Sequence, residues 1–488
     1  MKIDDLLREY KFVWAIDHAN SLLGWDLEVN MPVEAASARG EALAYLALIR
    51  REYLLRLRDL VGKYEDAKDL TDFERGGVIR VLKRELKYYT SVPPEIIEEL
   101  NRVTTKAAVV WREARRESNF EKFKPYLSKI VELERVIADK LGYEGHPYNA
   151  LLDLYEEGFT VNDADNVFNT LLPNLKSILE KVLSEGRYPS KHPLEDVPYD
   201  VNVMKSINEE LLKILDMPVG TRFRMDVSAH PFTTSMSIND VRITTRYEGK
   251  DFRSTMFSVI HESGHAMYEL MIDHLEMTPV GRGVSMGVHE SQSRFWENVV
   301  GRSREFVHLI YPLLRERLPF LKDYSEEDIY KYFNIVRPSL IRVDADEVTY
   351  NFHIALRYEI EKGGLIAGKL NVSDLPSLWE DFMDKYLGVR PRNDAEGVLQ
   401  DIHWSQGSFG YFPTYTLGNV IAGMIYAKLP GLKDKIADRR FNEIKEFLRD
   451  RICKYGAIYP PKELLSRSFN DTYNPTYLLN YLREKYLG

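Results

Sequence analysis

The sequence predicts a mainly α-helical fold with one small β-sheet set immediately before the helical run that carries HESGH, and three observations predict it. From Met1 to about Glu185, apolar residues recur three and four apart between charged ones, as in ALAYLALIRREYLLRLRDLVGKY, which is the spacing of one helix face. Between Thr221 and Tyr247 the pattern changes to the short runs FRMDV, TTSMSI and VRITTRY, rich in β-branched residues and separated by Pro or Asn-Asp. After Ser254 helical periodicity returns and lasts to the C-terminus, broken at PRNDAEGVLQ and at the Gly-rich aromatic stretch SQGSFGYFPTY. The order predicts a single domain over residues 1–488, with a helical lobe over 1–200 and a remainder, 201–488, that holds the sheet at about 221–247 and the metal site. The segment GRYPSKHPLEDVPYDVN, Gly186 to Asn202, has three prolines and little periodicity and reads as a connecting loop, with helix resuming at about Val203. No internal repeat or low-complexity segment interrupts this order.

Composition excludes several classes of protein. A chain that is 44% hydrophobic and 29% charged suits a globular protein with a filled core, not a disordered or fibrous one. A formal charge of −9 argues against nucleic acid or an anionic membrane surface as partner, because both call for a basic face. The single cysteine, Cys453, excludes a disulfide framework and a Cys-rich metal site and fits a reducing compartment, so any metal must use His and carboxylate. The first residues, MKIDDLLREYKFVWAIDHAN, are acidic where a signal peptide is basic and then apolar, and no apolar run approaches the roughly 18 residues of a membrane span. A cytoplasmic protein is expected.

The stretch FSVIHESGHAMYEL, Phe257 to Leu270, carries the chemistry. His261 and His265 stand four apart, so on a helix their imidazoles leave one face a single turn apart and can share one ion. Peptide bonds resist hydrolysis because water is a poor nucleophile and the amine a poor leaving group, and bound zinc lowers the pKa of water from about 15.7 to about 7. Glu262, beside the histidines, is placed to accept the proton and return it to the departing nitrogen, as general base and then general acid. Gly264 inside an otherwise strong helix costs about 0.5–1 kcal/mol relative to Ala, which points to close approach of another backbone or a substrate. A catalytic zinc takes a third protein ligand and leaves one position open. Glu290 in HESQSRFWEN, 25 residues after His265, is the first candidate, on a second helix that runs to about Arg302 and returns antiparallel after the loop TPVGRGVSMG. Glu297 and His289 compete with it, either as ligand or as the group that orients a ligand histidine through its other ring nitrogen.

Five segments together resemble the Taq-type carboxypeptidase family of thermostable metallopeptidases: HPF at His230 to Phe232, DVRIT at Asp240 to Thr244, HESGH at His261 to His265, HESQSR at His289 to Arg294, and GVLQDIHW at Gly397 to Trp404. IRVDADEVTYN, Ile341 to Asn351, is similar to a further family segment, and WDLEVNMP near the N-terminus resembles the family's opening, so the similarity spans most of the chain. The resemblance implies a mostly α-helical fold shared with neurolysin-type and angiotensin-converting-type peptidases, in which two helical lobes flank a deep active-site groove. It implies His261, His265 and Glu290 as metal ligands, Glu262 as base, one zinc or cobalt ion per subunit, and a homodimer. Asp344 departs from the family pattern, where glutamate is common.

The remaining motifs supply candidates for holding substrate. Arg342 is the first choice to grip a terminal carboxylate, since a guanidinium binds one bidentately; the structural alternative is a salt bridge to Asp344 or Asp346. Arg242 is the second choice, at the closed end of the groove, with pairing to Asp240 on the same strand face as its alternative. His230, His403 and Tyr415 could each donate a hydrogen bond to a developing oxyanion, with Tyr415 and His230 preferred, and His353, at helical spacing in YNFHIALRYEI, reads as core. The expected function is a metallocarboxypeptidase of broad specificity that releases single amino acids from peptides with a free C-terminus. An oligoendopeptidase or dipeptidase on the same scaffold would share every metal residue and differ in what closes the groove. A helical scaffolding protein with structural zinc is disfavoured, because structural zinc is normally closed by four protein ligands rich in cysteine.

Overall fold

The structure, a computed structural model, describes residues 2–488. It separates into two compact units, each assembled from three stretches of chain: one from the chain up to Leu86, His192–Phe333 and Met424–Thr472, the other from Lys87–Lys191, Asn334–Gly423 and Tyr473–Gly488. The helical run over the first two hundred residues is therefore shared between the units. Among the described residues, no helix is long and apolar enough to cross a membrane.

The first unit contains the sheet. Strands β1 (Phe223–Val227), β2 (Thr233–Ser237) and β3 (Asp240–Thr245) lie in the order β1-β3-β2, within the region where β-branched runs predicted them. Central β3 pairs parallel to β1 in the register Phe223 with Val241 and antiparallel to β2 in the register Thr233 with Ile243, with an irregularity between Ser235 and Ser237. Val241 and Ile243 are fully buried while Asp240 and Arg242 turn to the other side, the period-two alternation of a half-buried strand. The helix Phe252–Leu270 packs on β2 and β3 and buries thirteen of its nineteen residues, so it is apolar on almost every side. The helix Met286–Arg294 packs against it and continues directly as a π-helical stretch, Phe295–Val300. The loop predicted from Gly186 holds only a short 3-10 turn, Pro193–Asp196, before helix resumes at Val201.

The second unit is helical. The helices Pro94–Glu117 and Phe120–Leu141 pack on one another, and the C-terminal helix Thr476–Leu487 packs on Val161–Glu185. Glu347, in the IRVDADEVTYN segment, ties that last helix down: its carboxylate accepts from Lys485 Nζ at 2.5 Å, Tyr481 Oη at 2.9 Å and Tyr486 Oη at 2.8 Å. Among its fully buried large side chains are Trp379, Tyr148, Tyr358 and the cation Arg357.

Candidate metal centre

Helix geometry sets the site. His261 and His265, one turn apart on Phe252–Leu270, and Glu290, on the antiparallel Met286–Arg294, bring one donor atom each to within 4.8 Å of one another. Glu290 Oε2 lies 3.7 Å from His261 Nε2 and 3.4 Å from His265 Nε2. Ser285 starts the second helix by accepting from Val288 N at 3.1 Å, which places Glu290 in its first turns. Gly264 is what permits this approach: a Cβ there would stand 2.6 Å from the Gln292 carbonyl oxygen and 2.7 Å from Ser293 Cα.

The competing ligands stand behind the imidazoles. Glu297 Oε2 is 2.8 Å from His261 Nδ1, and His289 Nδ1 is 2.7 Å from His265 Nδ1. A carboxylate only accepts, so His261 carries its proton on Nδ1 and leaves the Nε2 lone pair facing Glu290, while His265 turns its own Nε2 to the same carboxylate. Two imidazole nitrogens and one carboxylate oxygen, with no fourth protein donor in the group among the described residues, fit a catalytic divalent ion such as zinc. Arg294 Nε donates to Glu290 Oε1 at 2.7 Å and Ser293 Oγ to Oε2 at 3.0 Å. Burial opposes ionisation of Glu290, but Arg294 and the ligand imidazoles outweigh it and hold the carboxyl well below the usual range. Glu297 is likewise held low against burial, by His261, Arg294 and Arg302, whose Nη2 reaches Oε1 at 2.9 Å. Both carboxylates therefore remain anionic.

Glu262 is buried, and the Thr233 hydroxyl of β2 donates to its Oε2 at 2.5 Å. His230 is exposed in the loop before β2, its carbonyl accepting from Ser228 Oγ at 2.5 Å. Arg242 takes its structural alternative: it forms a two-pronged pair with Asp240 at 2.7 and 2.8 Å and stacks 4.3 Å above the Trp25 ring of the WDLEVNMP segment.

Arg342, His403 and Tyr415 come together in the second unit. The partner of Arg342 is Asp401, from the GVLQDIHW segment, at 2.8 Å, rather than either acidic neighbour in its own motif. Arg357 Nε shares the same carboxylate at 2.7 Å, so two buried guanidiniums face one anion. Against burial, the two arginines hold Asp401 far below the carboxylate range. Arg342 also donates to Tyr350 Oη at 3.0 Å and sits 4.9 Å over the Tyr415 ring. Tyr415 Oη is 3.0 Å from His403 Nε2, and burial pushes His403 down to about 3 although Asp401 pulls the other way, so the imidazole is neutral. Asp346 holds the backbone N–H groups of Arg337, Val348 and Thr349 instead, Asp344 is exposed, and His353 is fully buried as core. Sequence reasoning missed Thr233, Asp401, Arg357 and Glu269.

A helix that carries two imidazoles and a carboxylate, closed by a glutamate from a second helix, defines a metallopeptidase centre. The sequence profile described as "Carboxypeptidase Taq (M32) metallopeptidase" matches residues 5–486, and the chain belongs to that family. Thermostable carboxypeptidase 1 of Pyrococcus furiosus is 49% identical, over 99% of this chain and 98% of its own length. Carboxypeptidase 1 of Bacillus subtilis is 36% identical, over 96% and 94% of the two chains. The structure of the Pyrococcus furiosus carboxypeptidase superposes with a TM-score of 0.97 at 48% identity, covering 99% of this chain and 98% of the other. The M32 carboxypeptidase of Deinococcus radiodurans superposes at 0.94 with 32% identity over 99% and 98%. The mainly α fold with its small sheet and the assignment as a metallocarboxypeptidase thus stand as expected.

Proposed function

We propose that the chain removes single amino acids from the free C-terminus of peptides, with His261, His265 and Glu290 holding one zinc or cobalt ion per subunit. The observation that supports it is the converging donor set, in which both Nδ1 atoms are already engaged and both Nε2 atoms face Glu290. Bound there, a divalent metal supplies Lewis-acid polarisation of the scissile carbonyl and acidification of water. Glu262 takes a proton from the attacking water and hands it to the departing nitrogen, its carboxylate held in place by Thr233. Tyr415 and His230 donate to the oxyanion, Tyr415 being aligned by its bond to the neutral His403.

Specificity for the end of a chain needs a cation for the terminal carboxylate. Arg342 fills that role in this reading, because Arg342 and Arg357 share one carboxylate and leave a buried positive charge to attract a second. Arg242 is the weaker candidate, since Asp240 and Trp25 already occupy it. The same reading has the enzyme working as a cytoplasmic homodimer, checked by light scattering of the purified chain. The direct test follows products from one decapeptide as free acid and as amide. A ladder of single-residue losses from the acid, with the amide a poor substrate, is expected. Cleavage of the amide at internal bonds would replace this reading with an oligoendopeptidase. Chelation should abolish turnover, and zinc or cobalt should restore it.

A further inference from the structure

The metal-binding helix carries a third residue in line with its two histidines. His261, His265 and Glu269 are each four apart, so they form one stripe along the helix face. Glu269 does not reach the donor cluster. Its Oε1 instead lies 2.7 Å from His289 Nε2, and the opposite nitrogen of that ring, Nδ1, is the atom 2.7 Å from His265 Nδ1. The chain of contacts runs from Glu269 through His289 to His265. The His289 ring is held in place on its other sides: its centroid is 5.0 Å from that of Tyr268, and Gly283 lies so close that a Cβ there would be 2.6 Å from His289 Cδ2.

We infer that Glu269 is a positioning residue of the metal centre, acting through His289 to fix the tautomer of His265 that leaves Nε2 free for the ion. A carboxylate oxygen only accepts, so Glu269 fixes the His289 proton on Nε2. With that proton on Nε2, the His289 ring offers its Nδ1 as the acceptor. Two Nδ1 atoms 2.7 Å apart share one proton, so that proton belongs to His265. His265 Nε2 is thereby a lone pair, facing Glu290. Without Glu269, the His289 proton is free to move to Nδ1, which turns the contact around: His265 must accept there and carry its own proton on Nε2, where it blocks coordination. The relay gives His265 the service that Glu297 gives His261 by direct contact.

The inference rests on His265 being a ligand, and the experiment separates the two claims. Zinc affinity of the metal-free full-length protein is measured by competition with a chromophoric chelator for the parent, Glu269→Ala, Glu269→Gln and Glu290→Ala, together with the melting temperature of each metal-free form. Glu269→Ala should weaken zinc about 10–100-fold, while Glu269→Gln, whose amide oxygen accepts the same bond, should stay within about threefold of the parent. Affinity of Glu269→Ala within about twofold of the parent overturns the relay, and so does a Gln variant as weak as Ala, which would assign the effect to charge. Should Glu269→Ala fail to fold, the Gln variant and ring nitrogen-15 spectra of the metal-free parent decide: protons on His265 Nδ1 and His289 Nε2 are expected, and the reverse pair refutes it. If Glu290→Ala binds zinc as the parent does, the ligand assignment itself fails; if it loses zinc while Glu269→Ala does not, only the relay fails.

Discussion

Glu262 and Glu290 are both buried glutamates beside the same pair of imidazoles, and their neighbours separate their roles. Glu290 is pinned by the Arg294 guanidinium and stays an anion, whereas Glu262 is addressed by a neutral hydroxyl, that of Thr233. Glu262→Gln should therefore keep the metal and lose turnover by roughly 10²–10⁴-fold or more, read as zinc content against kcat; a loss under tenfold would remove Glu262 as the base. Arg342→Ala should lose most of the preference for a C-terminal acid over an amide, chiefly through weaker activity on the acid. A charge-assisted pair there is worth about 1.5–3 kcal/mol, and an unchanged acid-to-amide ratio would free Arg342 of the role. At this scale the sequence was readable where local geometry decides: histidines four apart on a helix must share a face, and Asp240 and Arg242 two apart on a strand must share a side. It was unreadable where folding picks among several partners. Three aspartates were available to Arg342, and the one 59 residues away in the chain holds it. Glu269 obeys the four-residue rule but acts through His289, twenty residues on, so its spacing alone gave no chemistry.

The two site helices depend on one missing side chain. Both atoms that a Gly264 Cβ would strike hardest, the Gln292 carbonyl oxygen and Ser293 Cα, are backbone and cannot rotate away. Gly264→Ala must then push the helices apart or bend one of them, at a cost of about 1–3 kcal/mol from overpacking, and the displaced helix carries Glu290. The expected result is a lower melting temperature together with weaker zinc affinity. Parent affinity in a destabilised variant would show that the helices can part without moving the ligand. Close approach at this glycine was legible, because a helix gains nothing from Gly unless something needs the space. The sheet was legible too, since its runs of β-branched residues are bounded by Pro and Asn-Asp. The π-helical turn over Phe295–Val300 was not: its composition is that of any buried helix, and the wider turn arises where it packs. Nor did the sequence reveal that the units are built from interleaved stretches, because periodicity reports a helix and its buried face without naming the helix that covers it.

For the molecule as a whole, two buried acids and a buried lysine carry opposite pH dependences of stability above neutrality. Glu134, on Phe120–Leu141, is buried, and burial together with the nearby charge of Glu361 pushes it up to about 8. Glu361, fully buried, is pushed by burial to about 7 even though Tyr148 Oη, the Gly410 N–H at 3.0 Å and Trp404 Nε1 at 2.7 Å all donate to it. In the unfolded chain both ionise near 4.5. Between those limits the folded protein binds protons that the unfolded chain has released, so stability falls as pH rises through the interval and makes no such loss below it. The buried histidines His403 and His353 act in the opposite sense, but only below their unfolded value of 6.5, where the unfolded chain takes up protons that the fold refuses. Above neutrality Lys445 opposes the two glutamates: burial pushes it down to about 8, so the fold gives up its proton before the unfolded chain does near 10.5, and stability is regained as pH rises through that interval. From pH 7 to 9 the two glutamates should cost on the order of 1–2 kcal/mol, at about 1.4 kcal/mol per pKa unit, and Lys445 offsets much of that, leaving a shallow fall in melting temperature. Glu134→Gln, which keeps the shape and removes the ionisation, should gain on the parent as pH rises, melting further above it at pH 9 than at pH 7. A variant that follows the parent's slope over this range would mean that the Glu134 carboxyl ionises in the fold as readily as it does in water.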